Sequence, residues 1–280
     1  MDTACSSLRA HGFAVVRVRD ADAPLLQACI PVVERSLSSL HASGIQGGQD
    51  FGPREHQSSH GSEFATYRER AQMRHRVAHH HPPGGNSAVE LAAAVLSRLT
   101  RQHLAALQEE VHVGTPLDDG DQQLDAFWYP GEHQWAALGA GGELPAPCPA
   151  HEDPGLLTAI YDDRPALQVR LRDGSWRDVE LASDEVALVV GRALAALSDG
   201  RVPACTHRVQ PLQRSRTSLV FEELPNEAAL RSRSKAEGAA ACSAAATAST
   251  ADAKYARAAG ALLSMGGAAG SRAEGRCVVM

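Results

Sequence analysis

The sequence predicts a mainly β fold with flanking α: a many-stranded barrel or double-sheet jelly roll behind N-terminal helices. Three textures carry that expectation. From about residue 121 to 225, short apolar or alternating runs are punctuated by Gly, Pro and Asp, namely Leu124–Tyr129, Leu156–Tyr161, Leu167–Leu171, Val186–Val190 and Thr217–Glu222, which is the pattern of short strands joined by turns. Residues 1–120 are mixed and read as an α/β region. From 226 to 280 the chain turns Ala-, Ser- and Gly-rich, a composition too poor in large apolar groups to build a core.

In the N-terminal region, Gly12-Phe13-Ala14-Val15-Val16 reads as a short strand. Asp20 and Asp22 follow as candidate caps, with Pro24 suited to a helix's first turn. Ile30, Val33, Leu37 and Leu40 then recur at helical spacing up to Gly44. A second helix is expected from Ser87. Glu90 lies three residues on and makes a capping box, and Leu91, Val95, Leu99, Leu107 and Val111 give the helix an apolar side. Residues 45–86, between the helices, read as loop. Their basic cluster around Arg68, Arg70 and Arg74 reads as a solvated face or a guide for an anionic substrate, and His79-His80-His81 as a solvated loop, since adjacent side chains do not readily converge on one ion.

Composition narrows the function classes. A net charge of -6 and the lack of a basic stripe with interleaved aromatics argue against nucleic-acid binding. No apolar run is long enough for a membrane span. The N-terminus has an early acid and no apolar h-region. Six cysteines are scattered without CxxC spacing, as expected of reduced thiols in a cytoplasmic protein.

His151-Glu152-Asp153 opens the chemical argument. Residues two apart on a strand share a face, so this pair can bind one ion if a third ligand comes from another strand. Two imidazoles and one carboxylate on one face of Fe(II) leave positions open for substrate and oxygen. Alone the motif is weak, since roughly 0.7 such pairs arise by chance in a chain of this composition. The residues that follow change its weight: Gly155-Leu156-Leu157-Thr158, Leu167-Gln168-Val169, Gly174-Ser175-Trp176, Val189-Val190-Gly191, Leu197-Ser198-Asp199-Gly200, His207-Arg208-Val209 and Arg216-Thr217-Ser218. In order and spacing, residues 151–222 resemble the plant-type 2-oxoglutarate/Fe(II) dioxygenases, the isopenicillin N synthase-like family.

That resemblance implies a double-stranded β-helix (cupin-like jelly roll) core. It implies an oxidoreductase that uses Fe(II), 2-oxoglutarate and O2 to hydroxylate, desaturate or cyclise a small organic metabolite, releasing succinate and CO2. It makes His151, Asp153 and His207 the iron ligands. Arg216 and Ser218 would hold the distal carboxylate of 2-oxoglutarate, a task suited to a guanidinium fork with an added hydroxyl donor. Phe127-Trp128-Tyr129-Pro130 is similar to the family's Asn-Tyr-Tyr-Pro, so Tyr129 would contact the co-substrate. The segment from Leu8 to Val16 is similar to the family's opening helix-to-strand step, with His11 structural. Phe127, Arg192 and Asp199 depart from the family pattern, which leaves substrate identity open. Two other readings remain: an Fe(II) oxidase of the same fold that does not use 2-oxoglutarate, and a non-catalytic binding protein retaining the pocket.

The last four residues, Cys277-Val278-Val279-Met280, form a C-a-a-X box with Met at X, the pattern read by farnesyltransferase. Prenylation of Cys277 would give weak, reversible membrane association.

Overall fold

Eleven antiparallel strands in two sheets, packed against helices, form the described part of the chain. The computed structural model describes residues 3–43, 61–66, 70–77, 87–111, 117, 120–133 and 147–226. Gly44, the His79–His81 run, the tail beyond Asn226 and Cys277 lie outside the described residues.

In chain order the elements are α1 (Thr3–His11), β1 (Phe13–Arg17), α2 (Ala23–Ala42), β2 (Gly61–Thr66), β3 (Ala71–Val77), α3 (Ala88–Leu107), β4 (Gln122–Tyr129) and β5 (Cys148–His151). Then come β6 (Leu157–Asp162), β7 (Leu167–Arg170), β8 (Trp176–Val179), β9 (Glu185–Val190), α4 (Arg192–Leu197), β10 (His207–Val209) and β11 (Arg216–Glu223). The large sheet has the order β1-β9-β6-β11-β4-β3-β2 and the small one β5-β10-β7-β8. This is the mainly β, two-layered architecture that the sequence predicts.

Two apolar cores follow from strand alternation. One face of the large sheet packs on the helices through Val16, Leu124, Ala126, Leu188, Leu219 and Phe221, against Leu26, Val33, Leu37, Leu96 and Leu104. The opposite face meets the small sheet through Phe13, Ile160, Ala187 and Val189, against Leu167, Val169 and Val179. The space between the sheets is where the polar site is built.

The helices form where the periodicity predicts, with two differences. Helix α3 ends at Leu107, short of Val111, and buries Leu96 and Leu104 while Leu91 and Leu99 of the predicted apolar side are only half-buried; the other difference lies at a cap. Ser87 Oγ accepts the Glu90 N–H at 3.3 Å, and the Glu90 carboxylate accepts the Ser87 N–H at 3.1 Å, completing the capping box. Asp22 stands at the N-cap of α2, but its side chain makes no capping bond. It pairs with Arg19 at 2.6 Å and Arg98 at 2.7 Å, because two guanidiniums compete successfully with a backbone N–H for one carboxylate.

The expectation of a loop-rich stretch over 45–86 is corrected in part. Strands β2 and β3 lie there and extend the large sheet beyond β4. The charged character of Ala71–Val77 hides a strand, since Arg74 is not solvated. It donates two 2.7 Å bonds to Asp125, its direct cross-strand partner on β4. Opposite charges at facing positions stabilise a pair of strands.

Replacing Ser87 by Ala removes the side-chain half of the capping box. It is expected to cost about 1 kcal/mol of stability, read as a lowered denaturant midpoint with an unchanged denaturant slope.

Candidate metal centre

Strand β10 has only three residues, yet it sits between β5 and β7 and sets the geometry of the centre. In its antiparallel register with β5, His207 lies directly opposite His151. Their rings approach to 4.3 Å between centroids. Asp153 follows in the turn after β5. One ligand atom from each of His151, Asp153 and His207 lies within 4.8 Å of the others. Among the described residues, no other such group of His, Cys, Asp or Glu stands out.

Backbone carbonyls fix the two rings. His207 Nδ1 is 3.1 Å from the Cys205 carbonyl oxygen and His151 Nδ1 is 2.9 Å from that of Pro149. A carbonyl only accepts, so each Nδ1 carries a proton. His207 Nε2 is left with a lone pair, and His151 Nε2 offers one once the proton it holds toward Asp153 is displaced. Both Nε2 atoms face Asp153 Oδ1, at 3.4 Å from His151 and 3.7 Å from His207. The second carboxylate oxygen, Asp153 Oδ2, is buried without a hydrogen-bond partner. Two aimed Nε2 atoms and an orphaned buried anionic oxygen are what a divalent cation satisfies, with loss of the His151 proton. A set of two imidazoles and one carboxylate suits Fe(II) with open positions.

Asp153 is held from behind by α4. The Arg192 N–H donates to the Asp153 carbonyl at 2.8 Å, the Ala193 N–H to Gly155 at 3.0 Å and the Gly191 N–H to Leu156 at 3.0 Å. The backbones meet so closely that a Cβ on Gly191 would lie 2.2 Å from the Gly155 oxygen. This explains a glycine after the Val189-Val190 run. Further along, Asp199 at φ 52° and Gly200 at φ 75° turn the chain back toward β10, a conformation that Asp tolerates better than most side chains.

The charges are unevenly shared. Burial disfavours a charged His151, but hydrogen bonds and fields from Asp153 and Cys148 outweigh it and raise its pKa. Burial holds the His207 imidazole below its ordinary value. Burial alone would push the Asp153 carboxyl up, but the His207 and His151 imidazoles keep it well below the usual carboxylate range.

A second polar group lines the face of the large sheet turned toward the small one. Arg216 on β11 pairs with Tyr129 on β4 in register, and its guanidinium lies 5.3 Å from the Tyr129 ring centre. Ser218, two residues on, shares that face and is buried. Arg216 Nε and Nη1 are buried without partners. The fold thus brings together Tyr129, Arg216 and Ser218, as it does the two histidines and Asp153. Phe127 lies opposite Ser218 and stacks on Tyr129 at 6.0 Å.

Comparison with known proteins agrees with this geometry. Residues 122–225 match the family model of the 2OG-Fe(II) oxygenase superfamily. Those residues are similar to the domain of that superfamily. Over 70 residues it is 37% identical to the 2-oxoglutarate-dependent dioxygenase AOP3 of Arabidopsis thaliana, covering 25% of this chain and 17% of that one. Over 79 residues it is 40% identical to gibberellin 20 oxidase 2 of rice, covering 28% and 20%. The chain therefore matches only about a fifth of these relatives' lengths. Among solved structures, a full-length Neurospora crassa protein in complex with alpha-KG superposes with a TM-score of 0.61 at 15% identity, over 80% of this chain and 78% of that one. The Arabidopsis thaliana dioxygenase for auxin oxidation 1, as its 2-oxoglutarate complex, gives 0.60 at 14% identity over 80% and 87%. These likenesses establish the double-stranded β-helix fold that the oxygenase resemblance implies.

Sequence reasoning missed two residues of the site. Asp162 ends β6 as half of an Asp doublet; it hydrogen-bonds Arg216 at 2.6 Å. Cys148 read as one of six scattered thiols; its Sγ lies 3.6 Å from His151 Nδ1. The doublet beside a strand and the position three before a ligand histidine are the only signals, and both are faint.

Two outcomes are expected. Gly191→Ala should lower stability and weaken Fe(II) binding together, because the displaced backbone carries Asp153. Fe(II) affinity should rise with pH above the ordinary imidazole range toward about 11, with proton release on binding, because the ion must displace the proton that His151 retains there. Calorimetry in buffers of different ionisation enthalpy measures both.

Proposed function

We propose that this chain is an Fe(II)- and 2-oxoglutarate-dependent dioxygenase that oxidises a small organic metabolite by hydroxylation, desaturation or ring closure, with release of succinate and CO2. The observation that carries the reading is the convergence of two Nε2 atoms on Asp153, in one fold with a buried Arg216 whose Nε and Nη1 lack partners.

His151, Asp153 and His207 would hold the ferrous ion. When bound, iron and the keto acid supply the activation of dioxygen coupled to oxidative decarboxylation. The protein's own residues position and exclude. The Pro149 and Cys205 carbonyls hold the ring orientations, which limits the reorganisation that metal entry requires. Arg216 and Ser218 would receive the distal carboxylate, and Tyr129 closes one side of that subsite beneath the guanidinium. Phe13, Ile160, Val169 and Val189 keep the space between the sheets dry, which strengthens every charge interaction within it. The Phe127–Tyr129 stack supplies an apolar wall.

Localisation follows from less. Among the described residues no helix is long and apolar enough to cross a membrane, and Cys5, Cys29, Cys148 and Cys205 are free thiols. We read the protein as cytoplasmic, acting on a small molecule and not on nucleic acid, with weak membrane association through a prenyl group on Cys277. Cys277→Ser should abolish incorporation of label from a farnesyl donor; retained label would refute the modification.

Anaerobic titration with Fe(II) and then 2-oxoglutarate is expected to give the visible charge-transfer band of the chelated keto acid. The band should be lost in His151→Ala. In Arg216→Ala it should appear only at roughly ten- to hundredfold higher 2-oxoglutarate, the value of the lost charge-assisted hydrogen bonds. Iron binding without the band would favour the oxidase that dispenses with 2-oxoglutarate, and absence of iron binding would favour the binding protein.

A further inference from the structure

The subsite for the distal carboxylate already contains a carboxylate. Asp162 ends β6, and in the register between β6 and β11 it lies directly opposite Ser218. Facing residues of an antiparallel pair project to the same side, so Asp162 shares the face of Arg216 and Ser218. Its Oδ1 accepts from Arg216 Nη2 at 2.6 Å, and both side chains are only 3% exposed. Nη2 is the nitrogen common to the side-on and end-on forks of a guanidinium, so Asp162 leaves at most one fork whole for another carboxylate. Arg216 Nε and Nη1 remain buried without partners. Asp163, next along, lies within the field of the same guanidinium, although its own Oδ1 is occupied by the Thr217 N–H at 2.9 Å.

We propose that Asp162 is an internal competitor for the co-substrate's distal carboxylate at Arg216, and that it sets both the affinity and the selectivity of this chain for its 2-oxo acid. The proposal rests on the 2-oxoglutarate reading above. The Arg216 charge is balanced before any ligand arrives. A dicarboxylate entering the subsite must share Arg216 and stand beside Asp162, and like charges set together in a buried site repel strongly. A 2-oxo acid with a neutral distal end gives up one contact with Arg216 but avoids that repulsion. The chain should therefore bind 2-oxoglutarate weakly and discriminate poorly against the neutral analogue.

The test uses the anaerobic Fe(II)-loaded protein, with 2-oxoglutarate and its 5-methyl ester as probes, followed by the charge-transfer band and by thermal unfolding. In the wild type the ester is expected to bind within about tenfold of 2-oxoglutarate, since the lost charge-assisted contact is offset by relieved repulsion. Asp162→Asn should tighten 2-oxoglutarate at least about tenfold while leaving the ester little changed, by removing the like charge. Without ligand this variant should melt below the wild type, because Arg216 loses its counter-charge, and 2-oxoglutarate should raise its Tm by more than it raises the wild type's. Asp162→Ser provides the same comparison if the amide does not fold, and the wild-type discrimination ratio needs no variant. A band in Asp162→Asn with none in the wild type would support the proposal in its strongest form. Unchanged or weaker 2-oxoglutarate binding in a folded variant, or a wild-type preference for 2-oxoglutarate over the ester beyond about a hundredfold, the full value of charge-assisted hydrogen bonds, would overturn it and leave the oxygenase reading intact. No band with any protein would remove both.

Discussion

The antiparallel register that sets His207 opposite His151 is the constraint on which the rest of the centre depends. A one-residue slip in either strand would turn one imidazole to the other face of the small sheet. No rearrangement of side chains could then recover a three-ligand set with Asp153. The register is held from both sides. Strand β7 pairs with β10 across Leu167, Gln168 and Val169, and Leu167 and Val169 are buried in the core between the sheets. The apolar core thus fixes β7, β7 fixes β10, and β10 presents His207.

Asp153 needs a separate anchor because it lies beyond the end of β5. That anchor is the start of α4, where three consecutive N–H groups close on the carbonyls of residues 153, 155 and 156. The first N–H groups of a helix have no partner within it. Here the turn carrying Asp153 takes them up. The two elements tolerate no Cβ between them at Gly191, so the glycine reflects close approach of backbones and not a need for unusual dihedral angles.

Much of the centre was legible in the sequence, for reasons the structure makes physical. The spacing of His151 and Asp153, the apolar run ending at Gly191 and the Arg216-Thr217-Ser218 triplet each mark a point where local chemistry permits few alternatives. The capping box at Ser87 is a local interaction and appeared as read. What stayed hidden depends on partners distant in sequence. Strand β3 looked like loop because Arg74 looks solvated until Asp125 is placed across from it. Strand β10 is too short to show any period. Asp162 drew no reading of its own because its partner Arg216 comes from β11, and Asp22 looked like a cap until Arg98 arrived from α3. In every case but that of β10, a tertiary ion pair overrode what local composition suggested.

On this reading the register builds a metal centre of two imidazoles and one carboxylate with positions left open. X-ray absorption on the anaerobic ferrous protein tests it most directly. The account predicts one iron per chain, an inner shell of two imidazole nitrogens with oxygen donors, and a change confined to the oxygen donors when 2-oxoglutarate is added. A sulfur donor from Cys148, a single imidazole, or failure to take up iron would contradict it.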